Sequence, residues 1–185
     1  MFTPERLAGV VIVAGLMSSC ATSRTEESLP SARPNLGLAA DPTLVSAWDI
    51  SIPPNGAGLP PGSGTAKQGA LVYVAKCQSC HGERGAGKPM DALVGGIGSL
   101  ATDKPVRTVG SFWPYATTLF DYVRRAMPTT APMSLTNEEV YAVSAYILNI
   151  NGIVGENDIM NAQTLAGVKM PNRDGFISDW PARRR

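Results

Sequence analysis

The stretch Cys77-Gln78-Ser79-Cys80-His81 decides the reading of this chain, because it gathers two of three cysteines and the single histidine of 185 residues into five consecutive positions. Cys20 is the third cysteine. With one imidazole, a Ser-His-Asp or Cys-His catalytic system could draw only on His81, and a three-histidine zinc site is excluded. Lys plus Arg number 16 against 15 Asp plus Glu, a formal net charge of +1, so the basic excess that neutralises nucleic-acid phosphates is missing. A composition of 44% hydrophobic and 17% charged residues suits one modest globular domain, and 19 Gly with 15 Pro place a good share of the chain in loops.

A Cys-x-x-Cys-His spacing is the attachment signature of c-type haem. One helical turn and the loop after it set two thiols beneath the porphyrin vinyl groups while the adjacent imidazole turns to the iron. Cys77 and Cys80 are therefore the expected covalent attachment points of one haem c, and His81 its proximal ligand. Three other chemistries fit less well. A thioredoxin-like pair wants a βαβ setting that this sequence lacks. Zinc would find two thiolates and one imidazole and would need a carboxylate besides. A plain disulfide leaves His81 unexplained. A single histidine also excludes bis-histidine ligation and a second haem of this kind. The sixth position falls to a methionine, another side chain or nothing. Met127, followed by Pro128 between two helices, is the first candidate, Met133 in the same loop the second and Met90 the third. His/Met ligation favours electron transfer over binding of oxygen or substrate.

Outward from the motif, Thr65 and Gln68 have capping-box spacing, and Gly69, Val72, Tyr73, Lys76 and Cys77 share one helical face. A second helix is expected from Trp113-Pro114, with Tyr115, Leu119, Tyr122, Val123 and Ala126 at helical offsets, ending before Pro128. A third starts at Thr136, whose capping partner is Glu139, and buries Val140, Val143, Ile147 and Ile150. No run alternates with period 2, so an all-α domain is expected over residues 64–155. Trp113, Tyr115 and Arg124 or Arg125 are candidates to contact haem carboxylates, and Arg125 has the alternative of pairing with Asp121 at i, i+4.

The N-terminus reads as an address. Leu7 to Met17 is an unbroken apolar run of 11 residues, too short for a bilayer that needs about 20 but suited to a signal peptide over 1–19. The ending Leu16-Met17-Ser18-Ser19-Cys20 resembles a bacterial lipoprotein processing box, with Cys20 the lipidated residue. Ala21 after it favours, by that resemblance, outer-membrane attachment facing the periplasm, so the only membrane contact expected is the lipid anchor. Residues 20–63 form a polar tether and a turn-rich approach segment.

Gly69, Tyr73 and Tyr146 match the glycine and aromatics by which the first and last helices of class I cytochromes c cross, and the Met127-Pro128 loop resembles theirs. The implied fold is all-α, a class I cytochrome c with a single covalent haem and extended N- and C-terminal segments. The resemblance also implies that a proline carbonyl accepts the His81 ring proton, with Pro89 as candidate. TVGSFWPYATTLFDYVRRAMP (108–128), SLTNEEVYAVSAYILNING (134–152) and KMPNRDGF (169–176) are similar to the cytochrome subunit of bacterial sulfite dehydrogenases and to the cytochrome domain of Sox-type sulfane dehydrogenase. That resemblance implies an electron-transfer subunit without a catalytic site of its own. Its donor would be a molybdenum cofactor dehydrogenase subunit acting on sulfite or sulfane sulfur, and its acceptor a soluble cytochrome c or terminal oxidase. A general periplasmic carrier and a haem ligand-binding sensor are the competing readings. The tail, 156–185, has no helical stripe but carries Met170, Phe176 and Trp180; it is expected to lie against the molybdenum subunit, with packing on its own domain as the alternative.

Overall fold

A computed structural model describes residues 37–177. The signal peptide 1–19, the lipidation site Cys20, the first part of the tether and Trp180 lie outside the described residues. The element order is α1 (Pro42–Trp48), β1 (Ser63–Gly64), α2 (Ala66–Lys76), α3 (Gln78–His81), a 3-10 turn (Glu83–Gly85), α4 (Val109–Phe112), α5 (Ala116–Ala126), α6 (Asn137–Ile150), β2 (Met160–Asn161) and a 3-10 turn (Leu165–Gly167). Among the described residues, the two-residue strands are the sole departure from an all-α chain.

Both expected capping boxes form. Thr65 Oγ1 accepts from the Gln68 N–H at 3.3 Å, and Gln68 Oε1 accepts from the Thr65 N–H at 2.9 Å. Thr136 and Glu139 repeat the exchange at 3.2 and 3.0 Å. Each cap satisfies N–H groups that the first helical turn leaves unpaired and is worth about 1 kcal/mol. The two helices so started, α2 and α6, cross closely because Gly69 has no side chain: a Cβ there would collide with the Ala142 carbonyl and come within 2.8 Å of Tyr146 Cβ. Beside the crossing, the Tyr73 and Tyr146 rings lie 5.0 Å apart, and Phe120 on α5 meets Tyr141 on α6 at 4.5 Å. Tyr73, Phe120, Leu119, Val140, Tyr141, Val143 and Leu148 are buried in this core. Each contributes roughly 1.5–3 kcal/mol of burial.

The helix expected from Trp113-Pro114 begins later, at Ala116, and a separate short helix precedes it. Pro114 disfavours helical geometry in the residue before it. Trp113 is accordingly extended (φ −72°, ψ 126°) and ends α4, and Tyr115 (φ −138°, ψ 134°) is the N-cap of α5. The same effect at Pro128 leaves Met127 extended and ends α5 where expected.

Packing extends beyond 64–155 on both sides. Ile52 is buried and its N–H donates to Asp121 Oδ1 at 3.1 Å, while the Tyr141 hydroxyl donates to the Pro60 carbonyl at 2.8 Å. β1 pairs antiparallel with β2, Ser63 opposite Asn161 and Gly64 opposite Met160. Met160, Leu165 and Met170 are all buried. As far as Met170 the tail packs on its own domain, its apolar residues, too irregular for a helical stripe, anchored one at a time. Among the described residues, no helix is long and apolar enough to cross a membrane.

Candidate functional site

A cavity of about 530 Å³ opens beside α3, within the range of roughly 300–1,000 Å³ usual for ligand and cofactor sites. Cys77, Cys80 and His81 line it from the α2–α3 corner, Leu119, Val123 and Met127 from α5 and its end, and Val143 and Ile147 from α6. Pro89 to Leu93 and Arg107 to Val109 supply loop walls, and Trp113 completes the lining from the α4–α5 link.

Cys77 is the C-cap of α2 and leads directly into α3, so one turn separates it from Cys80. Burial pushes the Cys77 thiol up to about 11, the reverse of the depression that activates a redox or metal-binding thiol. Both cysteines are free of a disulfide. Among the described residues, no group of three or more His, Cys, Asp and Glu is arranged to hold a metal ion, so the zinc reading loses its geometric basis.

His81 Nδ1 lies 3.0 Å from the Asp91 carbonyl oxygen. A carbonyl can only accept, so Nδ1 carries the proton and Nε2 keeps its lone pair for a metal. This acceptor differs from the one the class I resemblance implied. Pro89 lines the cavity, but the loop closes with Met90 N–H on the Cys80 carbonyl at 2.9 Å and presents the carbonyl two residues later. The Tyr73 hydroxyl donates to the Gly82 carbonyl at 2.9 Å, fastening the chain just after His81 to the helix crossing.

Of the methionines, Met127 is half-buried and lines the cavity. Met133 is 58% exposed and does not, while Met90 lines it from the loop and is half-exposed. Trp113 lines the cavity with its ring edge-on to Tyr122 at 5.6 Å. The structure does not bring Arg124, Arg125 or Tyr115 there. Arg125 takes the alternative, with Nη2 at 2.8 Å from Asp121 Oδ1, and Asp121 in turn holds the Ile52 N–H. A cation that the sequence reading missed stands in their place. Arg107 lines the cavity, its guanidinium 5.4 Å from the centre of the Phe112 ring. Lys76 also reaches the lining but is paired with Glu139 at 2.7 Å, which holds that carboxyl below its usual range. Nothing local marks Arg107, for it lies in a loop before a short helix.

Two thiols one turn apart, an imidazole with its outer nitrogen proton fixed, a thioether and apolar walls form a donor set that fits a covalently held haem. The family model described as cytochrome c oxidase, cbb3-type, subunit III matches residues 64–147. A solved chain of the sulfane dehydrogenase SoxCD from Paracoccus pantotrophus is 39% identical with a TM-score of 0.72, over 81% of this chain and 73% of that one. No curated protein matches the chain. With its helical core, its haem-attachment motif on the cavity wall and this likeness, the chain belongs to the cytochrome c family, the electron-transfer proteins that carry haem c.

Proposed function

We infer that the chain is the cytochrome subunit of a molybdenum-dependent dehydrogenase of sulfite or sulfane sulfur, passing electrons on to a soluble cytochrome c or a terminal oxidase. The observation that carries the reading is the meeting of Cys77, Cys80, His81 and Met127 on one largely apolar cavity, in a chain 39% identical to one from a sulfane dehydrogenase. In this reading one haem c is held in the periplasm, and lipid on Cys20 tethers the domain to the outer membrane.

Cys77 and Cys80 are the residues that would hold the group by thioether bonds, and His81 Nε2 and the Met127 sulfur would ligate its iron. Trp113 and Arg107, both on the cavity lining, would be the donors available to its carboxylates. When bound, haem would supply a one-electron Fe(III)/Fe(II) couple. The Asp91 carbonyl holds the His81 ring in one tautomer, and the apolar side chains of α5 and α6 keep water from the site. Met127 at the cavity favours this role over a ligand-binding sensor, which needs an open sixth position.

The test is purification of the full chain from a sulfur-oxidising cell. The expected result is haem that stays on the chain after denaturation, a co-purifying molybdenum protein, and haem reduction on adding sulfite or a sulfane-sulfur donor. Covalent haem without such a partner or such reduction would leave a general periplasmic carrier; no covalent haem would overturn the assignment.

A further inference from the structure

The segment 169–176 grips both flanks of the Trp113-Pro114 link. Asn172 Nδ2 donates to the Phe112 carbonyl at 2.8 Å, and the Phe176 ring meets the Phe112 ring edge-on at 5.2 Å and 73°. On the other flank, the Arg173 guanidinium lies 4.8 Å from the centre of the Tyr115 ring. Met170, just ahead of these residues, is buried and pins the start of this surface segment to the core. The link it grips is extended and carries Trp113 into the cavity. Phe112 is also the ring on which Arg107 rests, so the two donors in this wall share one support.

We propose that residues 169–176 are a positioning strap for the cavity, with Asn172, Arg173 and Phe176 fixing Trp113 and Arg107 toward the bound group and so setting its redox properties from outside the site. The proposal rests on the reading that the cavity holds haem. A hydrogen bond weakens steeply with misalignment, and the rest of the wall is mainly apolar, so a displaced indole or guanidinium has few substitutes. A carboxylate that loses its facing donor carries more uncompensated negative charge, which favours the oxidised iron.

The experiment is an optical redox titration of the full haem-loaded chain, with Soret-region circular dichroism as a second readout. Asn172→Leu and Phe176→Ala are each expected to lower the midpoint potential and alter the dichroism while the axial-ligand absorption stays unchanged. Phe176→Tyr, which keeps the ring, is expected to restore both. Because the strap acts through its targets, Asn172→Leu is expected to add almost nothing in a Trp113→Phe, Arg107→Gln background. Arg173→Ala, at an exposed side chain, replaces either variant if it fails to fold. Unchanged potentials in folded variants, or shifts that add fully in that background, would overturn the strap. Failure of the haem reading is seen separately, as wild-type chain without covalent haem.

Discussion

The α2–α6 crossing and the cavity wall opposite it are made of different materials. At the crossing, Gly69 and Gly64 press on Ala142, and Tyr73, Tyr141 and Tyr146 fill the angles, all on regular elements. The wall formed by 89–93, 107–113 and 127–130 is loop and short helix, with Met90 half-exposed and Trp113 held through its neighbours. The crossing fixes where the motif stands, whereas the wall decides what the motif's occupant experiences. Damage to the first is expected to cost stability, and damage to the second to change redox behaviour while sparing the fold.

Gly69→Val should have the largest effect, because its side chain enters the space of the Ala142 carbonyl and a backbone must move. The expected loss is about 3 kcal/mol, read by guanidinium unfolding. An unchanged unfolding midpoint in this variant would mean that the crossing is looser than its geometry. Met127→Ala tests the wall: the thioether signature of the oxidised haem should vanish while cooperative unfolding persists, and Met133→Ala should leave the spectrum as it was. A signature lost with Met133 instead would transfer the ligand to the exposed part of the loop.

Tyr73→Phe comes next, since it removes the hydroxyl that joins the two regions at Gly82, and should cost about 1 kcal/mol. It also carries a pH signature. Burial raises the Tyr73 hydroxyl from 10.0 to about 12, so between these values the folded chain holds a proton that the unfolded chain releases. Stability from this group is then full below pH 10 and falls as pH rises toward 12. Tyr141 is shifted the same way, so the Phe variant should flatten only part of that slope in alkaline unfolding curves. The smallest effect belongs to Lys76→Gln, which breaks a half-exposed pair with Glu139 and should cost about 0.2–1 kcal/mol in the same assay.

The crossing was legible in the sequence because its signals are local. Thr65 with Gln68 and Thr136 with Glu139 announce helix starts within four residues, and Gly69, Tyr73 and Tyr146 fall on the helical faces that meet. The motif itself was equally plain. The wall was not, because its contacts arise between segments distant in the chain. Thr108 and Ser111 exchange hydrogen bonds as a capping box, but Ser replaces the usual Glu or Gln and the start of α4 passes unnoticed. Pro114 reads as a first-turn proline, yet its stronger effect is on the residue before it. The acceptor for His81 is a backbone carbonyl, which Asp91 supplies without using its side chain, so no residue type could have marked it. Arg124 and Arg125 suit the site by helical position, but Asp121, one turn earlier, claims Arg125.

The pairing of Ser63 with Asn161 and Gly64 with Met160 has a topological consequence. Chain entering the helical core and chain leaving it are clasped side by side, so everything between forms one closed loop pinched at its base. A unit whose ends meet in this way can be spliced into a host loop or reopened at new termini without separating its helices. Reopening it in the exposed stretch around Asp103, with the packed segments on both sides of the clasp kept and joined by a flexible linker, should therefore yield a permuted chain that still assembles the cavity.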